Sequence, residues 1–164
     1  MQILQIGRLS NDVNVHLERE YGACALWQQT QSDEFLQQFG ANFELVVTSA
    51  AYGLTAAHMA MLPNLRAVCS FGVGYDSIDV AALHARGVVL SNTPDVLTDC
   101  VADLAMGLLI DVSRGISAGD RYARAGLWGS KQRFGMGARV TGKKLGILGL
   151  GRIGLAIAER AQGF

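Results

Sequence analysis

The sequence has no excess of charge of either sign, because its 164 residues include 14 basic and 14 acidic side chains. No run of like charges stands out, so there is no electrostatic footprint for nucleic acid or an anionic membrane. No window approaches the roughly 18 apolar residues of a membrane span. The N-terminus also lacks the basic region of a signal peptide. We therefore expect a cytoplasmic protein that binds neither nucleic acid nor membrane.

Cysteine is scarce as well. The three cysteines and three histidines are Cys24, Cys69, Cys100, His16, His58 and His84. They form neither a CxxC pair nor the spacing of a metal site. We expect no bound metal, and the three thiols are interpreted as buried and unpaired in a reducing compartment.

The first 95 residues alternate between short apolar runs and helix-like stretches, which is typical of an α/β fold with a parallel sheet. The five predicted strands are Gln2–Gly7, Ala23–Trp27, Glu44–Ser49, Arg66–Ser70 and Val88–Ser91. Four predicted helices lie at about Asp12–Tyr21, Ser32–Phe39, Thr55–Leu62 and Asp79–Arg86. Pro63 is predicted to close the third helix, and Gly87 to follow the fourth as a C′ glycine. We expect a flavodoxin-like domain over residues 1–95, with ligands at the carboxyl ends of its strands.

A different pattern follows Pro94 and predicts a second domain over residues 96–164. One long amphipathic helix is expected first, with an apolar face that runs from Val101 to Ile116. A loop rich in glycine and basic residues is expected over Arg121–Arg139. A strand at Leu145–Leu148 and a helix at Ile153–Gln162 then enclose a glycine-rich turn. This order is typical of the first unit of a Rossmann domain.

The turn itself fits the GxGxxG pattern with Gly149, Gly151 and Gly154. The first glycine permits the tight turn, the second lets the backbone approach a pyrophosphate, and the third allows close packing of helix on strand. Arg152 is a candidate for a further phosphate contact. The sequence thus predicts binding of NAD or NADP, and a turn without a ligand is the alternative. The residue that distinguishes the two cofactors is expected about 20 positions further on, after Phe164.

Seven motifs follow one another in a familiar order: Ser70–Asp79, Gly87–Val89, Asn92–Pro94, Val101–Asp103, Gly126–Trp128, Gly142–Ile147 and Gly149–Gly154. Together they resemble the D-2-hydroxyacid dehydrogenases. Within that family, Phe71–Asp76 and Thr93–Thr98 most resemble the bacterial glyoxylate/hydroxypyruvate reductase branch. The resemblance implies a homodimeric oxidoreductase that transfers hydride between NAD(P)H and a small 2-oxo acid. It places the substrate in the cleft between a flavodoxin-like domain and a Rossmann domain.

The resemblance also implies roles for individual residues. The backbone amides of Val73 and Gly74 would bind the substrate carboxylate, although a tight turn that needs glycine is the alternative. Tyr52 and Gly53 would face the substrate, although Tyr52 could simply cap the next helix. In the dinucleotide site, Ile153 would join the glycine turn, and Val101 would lie near the nicotinamide unless it packs in the core.

The family's catalytic arginine, glutamate and histidine are expected beyond Phe164. None of the three histidines of this chain has the strand-end position of an acid–base group, so we assign no catalytic residue. We expect a fragment that is inactive by itself.

Two other functions stay open. The chain could be a non-catalytic dinucleotide-sensing or dimerising module. Residues 1–95 alone could form a flavodoxin-like signalling domain, but Gly7, Arg8 and Leu9 stand where a receiver domain has acidic residues. The segment from Thr98 to Arg139 is expected either to dimerise or to pack on the rest of a nucleotide domain.

Overall fold

A computed structural model describes residues 2–164, which divide into two compact units. The first unit ends at Pro94, and the second spans Asp95–Phe164. No helix within residues 2–164 is both long and apolar enough to cross a membrane.

The first unit is built on a five-stranded sheet in which all neighbouring strands are parallel. Its strands are β1 (Gln2–Gln5), β2 (Cys24–Ala25), β3 (Phe43–Thr48), β4 (Ala67–Ser70) and β5 (Val89–Ser91). Their spatial order is β2-β1-β3-β4-β5, which is the flavodoxin-like order. The central strands are aligned so that Leu4 is opposite Val46 and Val46 is opposite Val68, and all three side chains are fully buried. This confirms the predicted α/β fold with five parallel strands.

Four helices complete this unit: α1 (Asn11–Tyr21), α2 (Ser32–Phe39), α3 (Ala56–Ala60) and α4 (Val80–Ala85). Gly87 follows α4 with a φ of +67°, and its N–H donates to the carbonyl of His84, so the predicted C′ glycine is confirmed. The hydrophobic core includes Leu36 of α2, Met59 of α3 and Leu83 of α4, none more than 2% exposed.

Three predicted boundaries in this unit are wrong by a few residues. Strand β1 ends at Gln5 rather than Gly7, and β2 continues as a 3-10 turn from Leu26 instead of a strand to Trp27. Helix α3 ends at Ala60, because the chain tightens into a turn in which the N–H of Leu62 donates to the carbonyl of Met59. Pro63 therefore follows the helix without being the residue that ends it.

The second unit contains three helices: α5 (Thr98–Arg114), α6 (Ile116–Arg124) and α7 (Arg152–Ala161). Ala102 and Met106 of α5 and Ala156 of α7 are its buried side chains. Arg160 of α7 reaches α5, where it donates hydrogen bonds to Asp103 (2.6 Å) and Asp99 (2.9 Å). These two carboxylates raise the pKa of Arg160. Helices α5 and α7 are thus joined by apolar packing and by ion pairs.

The single long helix expected up to Ile116 is wrong. Gly115 has a φ of +67° and ends α5, and Ile116 is the first residue of α6. The Asp111 carboxylate accepts hydrogen bonds from the N–H and the hydroxyl of Ser117, both 2.6 Å, and these bonds lower the pKa of Asp111. Because α6 continues to Arg124, the loop expected from Arg121 begins about four residues later.

The strand expected at Leu145–Leu148 is also not formed. A strand needs a hydrogen-bonded neighbour, and residues 95–164 contain no other strand to supply one. The side chain of Leu148 is fully exposed as a result.

Candidate functional site

The loop that leaves β4 is tied to the carboxyl ends of the neighbouring strands. The N–H of Phe71 donates to the carbonyl of Thr48, 2.7 Å away. Two hydrogen bonds join Gly72 and Thr93. The Gly72 N–H donates to the Thr93 hydroxyl (3.1 Å), and the Thr93 N–H donates to the Gly72 carbonyl (2.9 Å). The Asn92 side-chain amide donates to the carbonyl of Val73 at 2.8 Å. The loop is therefore held in one position relative to the sheet.

Within this loop the N–H groups of Val73 and Gly74 have no acceptor among residues 2–164. Both residues are half-buried, so the amides are restrained but reachable. Consecutive backbone amides at the end of a parallel strand form a concave site for an anion. The arrangement can bind a carboxylate without any cationic side chain.

A second loop, between β3 and α3, is joined to the first by main-chain hydrogen bonds. The N–H of Leu54 donates to the carbonyl of Ser77 (3.2 Å), and the N–H of Asp79 donates to the carbonyl of Leu54 (3.1 Å). The Ser77 hydroxyl donates to the carbonyl of Ala50 at 2.6 Å. The two loops consequently form one rim at the carboxyl edge of the sheet.

Gly53 is the tightest point of that rim. It is buried with a φ of +69°, and its carbonyl accepts a 2.8 Å bond from the buried Thr48 hydroxyl. A Cβ placed on Gly53 would overlap the carbonyl oxygen of Ser77 and lie 2.9 Å from the Ser77 Cβ. Glycine is required here both by the positive φ and by the close approach.

Tyr52 lies on the same rim, with its ring against Gly7, the second residue after β1. A Cβ on Gly7 would overlap that ring. Tyr52 is 48% exposed, so about half of the residue stays accessible. The cap of α3 is Thr55, whose hydroxyl accepts from the His58 N–H at 3.2 Å. The alternative role of Tyr52 as a helix cap is thereby excluded.

The structure thus brings together all four residues expected to face the substrate. Ala50, in the loop of Tyr52 and Gly53, has its Cβ 3.8 Å from where a Cβ on Gly74 would lie. Sequence reasoning missed the residues that hold these loops in place, Thr48, Ser77, Asn92 and Thr93. Ser77, Asn92 and Thr93 lie within motifs of the resemblance, and Thr48 lies near the end of a predicted strand, but neither signal indicates these contacts.

The glycine-rich turn of the second unit leads directly into α7. Gly149 has a φ of +93°, and Gly151 is the N-cap of α7. Gly154 is buried, and a Cβ on it would overlap the carbonyl oxygen of Gly149. At Gly151 a Cβ would meet no atom within 4 Å, so this position opens to the outside. Gly149 has the positive φ and Gly154 the close contact that the pattern predicts, but the strand expected before the turn is not formed.

The first amides of α7 lie at the positive end of a ten-residue helix. The N–H of Leu155 donates to the carbonyl of Gly151 at 2.8 Å, which leaves the amides of Arg152, Ile153 and Gly154 ahead of the first intrahelical bond. They are arranged to hold an anion such as a pyrophosphate.

Val101, on α5, is 37% exposed, whereas its neighbour Ala102 is fully buried. Val101 is thus partly covered and partly accessible, and both predicted roles stay open.

The cysteines and histidines lie apart from the two loops of the rim. All three cysteines are unpaired, and burial raises the pKa of the Cys24 thiol. Cys100 is exposed and Cys24 and Cys69 are only partly buried, so the expectation of three buried thiols is wrong. Residues 2–164 contain no group of three His, Cys, Asp or Glu side chains that could hold a metal ion. The three histidines lie on helices α1, α3 and α4 rather than on the rim.

Comparisons with known proteins identify the family that the chain resembles. Residues 4–162 match a sequence family described as D-isomer specific 2-hydroxyacid dehydrogenase, catalytic domain. A glyoxylate/hydroxypyruvate reductase of Arabidopsis thaliana is 38% identical over 162 residues, which cover 99% of this chain and 51% of that protein. A hydroxyphenylpyruvate reductase of Plectranthus scutellarioides is 40% identical with the same coverage.

Two solved structures are similar over 99% of the chain. A 2-hydroxyacid dehydrogenase from Ketogulonicigenium vulgare Y25 has a TM-score of 0.89 at 35% identity, with 51% of its length covered. An NADPH-dependent glyoxylate/hydroxypyruvate reductase from Sinorhizobium meliloti, in complex with NADP and malonate, has a TM-score of 0.81 at 33% identity, with 50% covered. The chain therefore spans about half the length of these relatives.

Proposed function

The chain belongs to the D-isomer specific 2-hydroxyacid dehydrogenase family, and we propose on that basis that it forms part of an NAD(P)-dependent reductase of small 2-oxo acids. The first unit would supply the substrate rim and the second the pyrophosphate turn, with domains at 1–95 and 96–164. The similar reductases act on glyoxylate and hydroxypyruvate by name, which supports a substrate of that size. A cytoplasmic location belongs to the same proposal and is supported by the three unpaired thiols.

One observation carries the proposal: the two adjacent amides of Val73 and Gly74 that lack an acceptor among residues 2–164. A 2-oxo acid carries a carboxylate, and hydrogen bonds to a charged acceptor contribute about 1.5–3 kcal/mol each. Two such bonds would hold the carboxylate, while Tyr52 and Gly53 form the adjacent wall. The solved relative with bound malonate shows that a protein of this family binds a small carboxylate.

The cofactor would bind at the second unit. Gly151 and the amides of Arg152, Ile153 and Gly154 would hold its pyrophosphate, and Val101 would lie beside the nicotinamide. Bound NAD(P)H supplies the hydride in this chemistry. The fit to the residues present is good, because Gly151 is open where the pyrophosphate must approach and Gly154 is closed where helix and turn must pack.

We further propose that the 164-residue chain binds ligands without turning over substrate. Reduction of a ketone needs a cation that polarises the carbonyl and an acid that protonates the alkoxide. His16, His58 and His84 lie on helices and not on the rim. The carboxylate-binding amides can orient a substrate but cannot donate a proton to an alkoxide at physiological pH.

Nuclear magnetic resonance on the 15N-labelled chain tests the two sites separately. Malonate is expected to shift the amide signals of Val73 and Gly74 with a dissociation constant on the order of millimolar, since about 4 kcal/mol is available from two charged hydrogen bonds. NADP is expected to shift the signals of residues 151–154. Glyoxylate and hydroxypyruvate should compete with malonate for the same amides.

The variant Gly151→Ala tests the dinucleotide site specifically. Its added methyl meets no protein atom within 4 Å, so the fold should be unchanged while NADP no longer shifts residues 152–154. If malonate shifts amides elsewhere, or if Gly151→Ala binds NADP as well as the unaltered chain does, the proposed sites are wrong. Absorbance at the NADPH maximum, with glyoxylate present, checks the expected absence of turnover.

We propose that the second unit also forms the interface of a homodimer. It exposes several large apolar side chains on α5, on α6 and in the following loop. These are Leu104, Leu108, Val112, Ile116 and Trp128, each more than half exposed. Apolar surface of this kind is typical of protein–protein contacts. The same surface would serve the alternative function of a non-catalytic dimerising or dinucleotide-sensing module.

The variant Val112→Asp is expected to convert a dimer into a monomer in analytical ultracentrifugation, because a charge would be buried in the interface. Val112 is 84% exposed within the chain, so the fold itself should tolerate the change. Tyr21→Asp, at a 58% exposed position at the end of α1, is the matched control and should leave the mass unchanged. A monomeric unaltered chain would contradict the proposed interface.

A further inference from the structure

Asp95, the first residue of the second unit, has an unusual backbone conformation. Its φ is +70°, and among residues 2–164 it is the single residue other than glycine with a positive φ. Aspartate and asparagine tolerate this region better than other residues, but they still adopt it at some cost. A conformation of this kind is maintained where the position of the side chain matters.

The side chain of Asp95 lies against the glycine-rich turn. Its carboxylate forms an ion pair with the Arg152 guanidinium, with 3.1 Å between Oδ1 and Nε. Arg152 is the first residue of α7 and follows Gly151 directly. The Asp95 carboxylate thus pairs with Arg152, the one cationic side chain of the turn from Gly149 to Gly154.

Arg152 is more exposed than Arg160, the arginine that joins α5 and α7. The side chains of Arg152 and Asp95 are 63% and 64% exposed, so solvent screens their attraction. Arg160, by contrast, is 28% exposed and donates hydrogen bonds to two carboxylates. An anion with a higher charge than a carboxylate can therefore replace Asp95 at Arg152 at little cost.

We propose that Asp95 is a counter-ion that occupies Arg152 in the ligand-free protein and is displaced by the pyrophosphate of the dinucleotide. The proposal rests on the proposed dinucleotide site. To bind at Arg152, the pyrophosphate must first break the ion pair between Asp95 and Arg152. Asp95 thereby lowers the affinity of the turn for the dinucleotide and favours its release.

Asp95→Asn is the matched variant, because asparagine accepts a positive φ as aspartate does while it carries no charge. Calorimetric titration is expected to show that this variant binds NADP about two- to fivefold more tightly than the unaltered chain does. The gain should grow at low ionic strength, since it comes from charge. Inorganic pyrophosphate, as a second probe, should show a gain of the same direction.

Two further variants separate this effect from a general change of charge. Asp120→Asn removes one negative charge from an exposed pair with Arg124 in the same unit, and it should leave the affinity for NADP unchanged. In an Arg152→Ala background the gain from Asp95→Asn should largely disappear, because the competition for the guanidinium is gone.

Each outcome decides between the two proposals. If NADP binds and Asp95→Asn has no larger effect than Asp120→Asn, the dinucleotide site stands and the counter-ion is wrong. If pyrophosphate shows the gain but NADP does not bind, the counter-ion stands and the dinucleotide site is wrong. If the gain persists in full without Arg152, or if neither ligand binds to any variant, Asp95 does not act as proposed.

Discussion

Gly53→Ala is expected to destabilise the first unit by about 2–5 kcal/mol. A side chain at a φ of +69° contributes roughly 1–2 kcal/mol of this loss. The new methyl would also overlap the Ser77 carbonyl oxygen, which is fixed by its bond from the Leu54 N–H, and overpacking of this kind costs about 1–3 kcal/mol. Hydrogen exchange at the amides of the buried residues Val46 and Val68 would measure the free energy of opening of the sheet.

Gly87→Ala is the control for the backbone contribution alone. Gly87 has nearly the same φ, +67°, but a Cβ there meets no atom within 4 Å. The Gly87→Ala variant should lose about 1–2 kcal/mol of stability. The difference in stability between the two variants then gives the cost of the clash with Ser77. Because Ser77 lies in the same loop as Gly74, Gly53→Ala should also weaken the response of Gly74 to malonate. Equal losses in both variants would show that the two loops are not packed as tightly as described.

The sheet was predictable because its strands are apolar on both faces, which is typical of buried parallel strands. The runs around Val46 and Val68 show this clearly, and both residues are fully buried. The ends of the strands were less predictable, since a strand ends where its neighbour does. The sequence has another apolar residue, Ile6, directly after β1, but the pairing of β1 with β3 stops at Gln5.

The presence of a glycine does not by itself predict where helix α5 ends. Gly107 continues α5 without interruption, whereas Gly115 ends it. Apolar spacing is the same on both sides of Gly115, so periodicity predicted one helix. The difference lies in the Asp111 carboxylate, which accepts hydrogen bonds from Ser117 and so stabilises a new helix start.

The candidate site was predictable where its chemistry is local and unpredictable where it depends on distant residues. The turn from Gly149 to Gly154 can be recognised from the spacing of its glycines and from the helix that follows it. The contacts of Asn92 with Val73 and of Asp95 with Arg152 join residues 19 and 57 positions apart, and no local pattern encodes them. Such contacts depend on how the elements pack.

Gly154→Ala is expected to lower the affinity for NADP by at least about tenfold and to destabilise the second unit, although alanine is the better helix former. In a helix, replacing glycine by alanine gains about 0.8–1.0 kcal/mol. At Gly154 the methyl would overlap the carbonyl oxygen of Gly149 and lie 3.2 Å from its carbonyl carbon. Backbone cannot yield as a flexible side chain can, so the cost of overpacking exceeds the gain. The start of α7 must then move away from the turn. The expected tenfold loss of NADP affinity corresponds to about 1.4 kcal/mol of binding free energy.

Gly107→Ala isolates the helix propensity, since Gly107 lies within α5 and a Cβ on it meets no atom within 4 Å. It should stabilise the second unit by up to about 1 kcal/mol without a change in NADP affinity. The two helical glycines should therefore differ in the sign of their effect on thermal unfolding, because only one of them lies against main chain. A stabilised Gly154→Ala variant that still binds NADP would mean that α7 and the turn are not in contact, and with that the third glycine would have no part in the dinucleotide site.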